Sequence, residues 1–179
     1  MTEPLSADAP PPGTYTLDPE HTTIRADAKA MFGLATVHGT FRLKSGQVSI
    51  AADPDGSSVE ASIEAGSYAS GNTRRDADVT GANLLDAKSY PEITFTGQGA
   101  RRDGDAWVVP GSVTAHGTAV PVEVRLSDAR LESGGAGQTG QVRFRATARL
   151  DRTSFGVTKK KGMVGRTVDL VIEAVAQPA

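Results

Sequence analysis

The sequence predicts an all-β fold with antiparallel pairing, on three observations. Apolar residues recur at every second position through most of the chain. Clusters of glycine, proline and aspartate interrupt these runs at short intervals. No helical crossover of the kind a parallel sheet demands separates the strands between Gly13 and Ala65. The chain has 179 residues, 38% of them hydrophobic, which is the length of one domain with a core of its own.

Residues 1–13 read as a flexible Pro-rich leader, because Pro4, Pro10, Pro11 and Pro12 supply no amide donors and little there can be buried. No Lys or Arg precedes Arg25, so the segment lacks the basic start and apolar middle of an export signal. No run of about 18 apolar residues follows it, and the expected location is cytoplasmic. The domain is expected over residues 14–176. Its first clear strand places Ile24, Ala26, Ala28 and Ala30 on one face and Arg25, Asp27 and Lys29 on the other, as a pleated strand requires. Phe41 with Leu43, then Val48 with Ile50, read as two strands of a hairpin turning at Lys44-Ser45-Gly46. Asp53-Pro54-Asp55-Gly56 is a further turn. Val59, Ala61, Ile63 and Ala65 alternate with Glu60, Ser62 and Glu64.

One helix is expected, from Thr73 to roughly Ala87, with Thr73 and Asp76 as a capping box, Val79, Ala82 and Leu85 on one face and Tyr90-Pro91 as the stop. Strands then resume at Ile93 and Phe95, and at Trp107 and Val109 after the Asp103-Gly104 turn. They continue through Val120, Val122, Val124 and Leu126, and through Val142, Phe144, Ala146, Ala148 and Leu150. After a break over residues 151–165 comes the last run, Val168, Leu170, Ile172 and Ala174. Thr36 to Thr40 echoes Thr114 to Thr118 around a His-Gly pair, and both read as tight turns. Roughly eight strands with one-sided alternation must close on themselves or form a sandwich, and the pattern does not separate the two.

Several functions are excluded. With no cysteine there is no thiol chemistry, disulfide or sulfur-based metal site, and a net charge of −2 argues against a broadly basic nucleic-acid surface. Gly135 to Gly140 formally fits a dinucleotide fingerprint, but a strand follows it where a helix N-terminus is needed, so it reads as a hairpin loop. No nucleophile elbow and no paired histidines on a helix occur. Asp76, Asp78 and Asp86 suit capping and helix solubility better than paired-acid hydrolysis. His21, His38 and His116 are the only set from which a three-imidazole metal site could converge; two of them precede glycine, so turn placement is the simpler reading. Lys159, Lys160 and Lys161, with Arg152 and Arg166 near them in sequence, read as a solvated loop, the alternative being a cationic rim for an anionic head group or a membrane. The informative feature is the inward set: alanine at 26, 28, 30, 61, 146 and 148 leaves the dry face thinly filled. That implies either close approach of facing strands or space for a ligand.

Five segments in order resemble the YceI-like family. They are Tyr15-Thr16-Leu17-Asp18-Pro19-Glu20-His21-Thr22, Gly71-Asn72-Thr73-Arg74-Arg75-Asp76, Leu84-Leu85-Asp86 through Tyr90-Pro91-Glu92-Ile93-Thr94-Phe95, Val113 to Thr118, and Leu150-Asp151-Arg152-Thr153-Ser154-Phe155-Gly156. The resemblance spans about Gly13 to Val175. It implies an antiparallel eight-stranded lipocalin-like barrel with a short helix near one end, holding an apolar lipid without catalysis: a polyisoprenoid, an isoprenoid quinone or a long-chain acyl compound. An enzyme acting on a lipid precursor and a ligand-free structural or stress-related module are the alternatives. The sequence departs from the family at Ala26 and Ala30, where an aromatic and a histidine are usual, at Asp78 and Val79, where histidine and leucine are usual, and at Arg166, which replaces an acid.

Ala26, Ala30, Phe32, Phe41, Ile63, Phe95, Val113, Phe144, Phe155 and Ile172 are the expected lining, with His21, Arg75 and Arg152 as polar contacts. No catalytic residue, cofactor or metal is assigned. The expected partner is a polyisoprenoid or other long-chain lipid, with a homodimer left open and neither nucleic acid nor stable membrane insertion expected.

Overall fold

A computed structural model describes residues 10–132, 140–159 and 164–179. Ten strands run in chain order as β1 (Gly13–Leu17), β2 (Thr23–Ala30), β3 (Ala35–Ile50), β4 (Ser58–Ala69), β5 (Glu92–Gln98), β6 (Arg101–Asp103), β7 (Ala106–Ala115), β8 (Thr118–Glu132), β9 (Gln141–Asp151) and β10 (Val164–Pro178). Among the described residues one α-helix, α1 (Thr73–Thr80), lies between β4 and β5. All pairings are antiparallel. The order β2-β3-β4-β5-β7-β8-β9-β10 returns to β2 through the β10 ladders with both β9 and β2, so eight strands close a barrel rather than a sandwich.

Two short strands complete the ring. β1 lies between β3 and β10, pairing Tyr15 with Val48 and Pro178, whereas β2 lies between the opposite halves of those same strands. β1 and β2 therefore share one ring position, interrupted at residues 18–22. β6 in turn extends the edge of β7 beyond β5, across the tight turn at Gly104, whose φ is +60°.

The expected Lys44-Ser45-Gly46 hairpin is not a turn. β3 runs unbroken for 16 residues, and its register with β4 shifts between Leu43 and Ser45. The bulge has a function the alternation already hinted at. Phe41 and Leu43 are inward at odd positions and Val48 and Ile50 at even ones, and one extra residue reconciles the two phases within a single strand. Thr36 to Thr40 likewise lies inside β3, whereas His116 and Gly117, with φ of +52° and +74°, do form the β7–β8 turn. Asp53 caps the short 3-10 turn at Pro54–Gly56 by accepting from the Asp55 amide, as expected.

The helix is shorter than expected and starts differently. Asn72 is the N-cap, its side chain accepting from the Arg75 amide, while Asp76 turns back to accept from the Ser70 amide and hydroxyl. Gly81 ends it, and residues 81–91 continue as turns that bury Leu84. The expected leader lies largely outside the described residues, as do Lys160, Lys161 and the glycine-rich residues 133–139. Glu132 pairs with Gln141 across that last segment, as a hairpin demands.

The interior is filled at two places. Tyr15, Leu17, Leu43, Val142 and Ala176 pack near the end of the barrel that holds the start of β1 and the end of β10. Leu84, Val113, Val122, Phe155 and Val157 pack toward the other end, on the β7–β8–β9 side.

Candidate functional site

Between and beside these two clusters runs a cavity of about 730 Å³. Its wall is built from the inward faces of the ring, and the small residues of β2, β9 and β10 matter most. Ala26 and Ala28 of β2, Ala146 and Ala148 of β9 and Ala174 of β10 all face it, and β10 pairs Leu170 with both Ala26 and Ala148. The thin dry face is thus space rather than close approach of facing strands.

The wall is polarised. Its ionisable cations and acids, Lys29, Arg74, Arg75, Asp78 and Arg152, all lie toward the end formed by the β2–β3 turn, α1 and the segment after β9. The wall residues that are also solvent-exposed, Lys29, Met31, Asn72, Arg74, Arg75 and Asp78, lie at the same end, which is therefore the mouth.

Most expected site residues meet in this wall. Ala26, Ala30, Phe41, Ile63, Phe95, Val113, Phe144, Phe155 and Ile172 line it, together with Arg75 and Arg152. Two residues stand elsewhere. Phe32 sits in the β2–β3 turn with φ of +57° and is 78% exposed, because a turn residue does not continue the strand's alternation. His21 lies in the break between β1 and β2, where its exposed ring is 2.7 Å from the Asp18 carboxylate and holds the Asp18 pKa below its ordinary value. The three histidines do not converge. His38 bonds Asp27, and the His116 ring bonds the Phe155 carbonyl; among the described residues the only group with metal-ligand spacing is Asp18, Glu20 and His21 on the surface.

Arg152 is a wall residue of an unexpected kind. Only 8% exposed, it donates from Nε to the Gly165 carbonyl at 3.0 Å and from Nη1 to the carbonyls of Val157 and Lys159 at 2.8 and 2.9 Å. Burial lowers its pKa from the ordinary arginine value. Its guanidinium is thus engaged with the chain's own backbone, fastening the segment that follows β9 across the barrel end. Asp151 caps the same turn through the Thr153 amide and also accepts from Arg166, which gives the departure at 166 a partner within the chain.

Tyr68 is a wall residue that no alternation flagged. Its ring lies 5.3 Å from that of Phe41, and burial raises its phenol pKa. The available signal was Gly39 within a strand: a Cβ there would come 2.1 Å from the Tyr68 ring, so the glycine exists to let that ring lie flat on β3.

A family model for the YceI-like domain matches residues 15–176. The chain belongs to the YceI-like family. A UPF0312 protein of Pseudomonas putida is 31% identical over 173 residues, covering 94% of this chain and 88% of the relative. Among solved structures, BcnA of Burkholderia cenocepacia superposes with a TM-score of 0.74 at 23% identity, over 89% of this chain and 98% of that one. A polyisoprenoid binding domain from Saccharophagus degradans gives 0.67 at 14% identity, over 92% and 98%. At these identities the structural likenesses establish the shared YceI-like barrel. No helix among the described residues is long and apolar enough to cross a membrane.

Proposed function

We propose that this YceI-like barrel binds and carries, without covalent chemistry, one apolar lipid in its lumen: a polyisoprenoid, an isoprenoid quinone or a long-chain acyl compound. The observation that carries the reading is the cavity itself, about 730 Å³, apolar along its length and charged only at its mouth. That volume falls within the range of roughly 300–1,000 Å³ typical of small-molecule sites. A solid-centred structural module has no use for such a space. The name of the Saccharophagus degradans neighbour, a polyisoprenoid binding domain on the same fold, points to the same ligand class.

The driving force is burial. Each methylene leaving water contributes about 0.8 kcal/mol, so a sixteen-carbon tail gains roughly 13 kcal/mol before ordering costs reduce it. Ala26, Ala30, Phe41, Ile63, Phe95, Val113, Phe144, Phe155 and Ile172 are the proposed tail contacts, and Arg75 at the mouth is the proposed polar contact. Specificity for the tail is loose, because such a wall offers shape and few hydrogen bonds.

The test is organic extraction of purified protein with mass spectrometry, paired with uptake of a fluorescent prenyl probe. An extracted lipid and saturable uptake are expected. Ala148→Phe places a ring in the lumen, and displacing even two methylenes of guest costs about 1.6 kcal/mol, roughly tenfold in affinity. A lipid-free extract together with no uptake, or uptake unchanged in the Ala148→Phe protein, overturns the proposal.

A further inference from the structure

The cavity mouth carries two features that holding a lipid inside the barrel does not require. The first is an apolar knuckle. Met31, Phe32 and Leu34 in the β2–β3 turn are 55%, 78% and 86% exposed. Exposed single hydrophobes are ordinary, but three in one projecting turn at the edge of an apolar cavity are not. The turn is also built from unsuitable residues: Met31 and Phe32 are both left-handed, with φ of +51° and +57°. Consecutive left-handed positions in a turn favour asparagine, aspartate and glycine. The shorter, two-residue β7–β8 turn at the same end fills its left-handed positions with His116 and Gly117, so left-handed backbone does not call for bulky apolar residues.

The second feature is an excess of positive charge, Lys29, Arg74 and Arg75 against Asp78 in the same exposed rim. Along the barrel wall many arginines are paired, among them Arg101 with Glu123, Arg125 with Asp103, Arg143 with Glu132 and Arg149 with Asp169. At the mouth, Arg74 and Arg75 form no ion pair with a carboxylate among the described residues, and Lys29 donates only to the Thr36 hydroxyl. Both arginines occupy the first turn of α1, the end at which the helix dipole disfavours cations.

We propose that this end of the barrel docks on an anionic lipid bilayer, with Phe32 and Leu34 entering the boundary between head groups and acyl chains and Lys29, Arg74 and Arg75 lying over lipid phosphates. An apolar tip at the same end as a set of cations is the pattern that such an interface selects, each cation near the surface adding to the attraction. Docking in this pose sets the mouth on the membrane, so that a tail passes between bilayer and lumen without crossing water. The inference rests on the lipid-carrier reading and deepens it by naming the donor or acceptor as a bilayer.

Flotation of the full chain with vesicles tests it, using phosphatidylcholine alone and phosphatidylcholine with roughly a third phosphatidylglycerol. The protein is expected to float with the anionic vesicles at low salt. It should be released near 1 M salt, where the screening length falls to about 3 Å. The double variant Phe32→Ser, Leu34→Ser loses at least about tenfold in vesicle partitioning. Because both side chains lie in solvent outside the cavity wall, its circular dichroism and its uptake of a prenyl probe supplied from solution stay as in the parent. Uptake from solution with no flotation on anionic vesicles overturns docking alone, and flotation without uptake overturns the carrier reading while docking stands. Unchanged flotation of the double variant overturns the assignment of the knuckle. So does a dimer in solution that the double variant dissociates while the parent fails to float, which makes the patch a self-association surface.

Discussion

Replacing Arg152 by methionine separates two roles that sequence alone merges. The side chain was expected to contact ligand, whereas the structure commits it to the carbonyls of Val157, Lys159 and Gly165. Methionine keeps an unbranched stem of similar reach and removes every donor. Hydrogen bonds to a charged group are worth about 1.5–3 kcal/mol each, but several on one guanidinium are not additive, and carbonyls near an exposed segment can turn to water. A loss of about 3 kcal/mol follows. For a chain of this length each kcal/mol moves Tm by about 2–4 °C, so Tm falls by about 6–12 °C. Urea unfolding followed through Trp107, the single tryptophan, reads the same loss as a lower midpoint with an unchanged slope. Arg152→Lys recovers less than half of it, since a point charge lacks the fork that spans separate carbonyls. A methionine variant as stable as the parent that nonetheless fails to take up prenyl probe refutes the reasoning and makes the guanidinium a ligand contact.

Two further outcomes follow from local geometry. Gly111→Ala destabilises by about 2 kcal/mol or more in chemical unfolding, because the added Cβ would stand 2.3 Å from the Thr96 carbonyl oxygen, on backbone that cannot swing aside. Asp27 is pushed up by partial desolvation, but hydrogen bonds from His38 and Arg25 outweigh this and hold its pKa below the ordinary 3.8. A depressed folded-state pKa stabilises above the unfolded value and is lost as pH falls through the folded one. Asp27→Asn should therefore lower Tm at pH 7, and the gap from the parent should close as the solution is acidified below 3.8.

The antiparallel strands and most of the cavity wall were legible because a period of two is the direct imprint of a sheet with one wet face. Ile63, Phe95, Val113, Phe144 and Ile172 all sit on stretches of strand where that period holds, and all line the cavity. Closure was legible only through the family resemblance and not in the alternation, since it depends on β10 pairing with both β9 and β2, and no local pattern encodes a partner so distant in sequence. The failures share a cause. Reading Lys44-Ser45-Gly46 as a turn mistook a phase shift for a reversal, because a bulge and a hairpin both break the alternation. Phe32, assigned from alternation and motif position, lies two residues past the end of β2, in a turn. Thr73 and Asp76 fit the capping pattern, yet Asn72 one position earlier caps the helix, and only the backbone geometry distinguishes the two registers. Arg152 shows the limit most plainly: sequence marks a cation in a motif, but not whether it points at a guest or at its own main chain.

The double role of β10 also constrains the order of assembly. Ile172 meets Ile24 across almost the whole chain, and β1 is held between β3 and residues 176–178. Contacts of such separation are entropically late, so folding rates are set by this final stave. During synthesis the nascent polypeptide displays two unmatched strand margins, those of β2 and β9, until residues beyond 164 emerge from the ribosome. That interval is when a chaperone would have to shield it from pairing with a neighbouring copy.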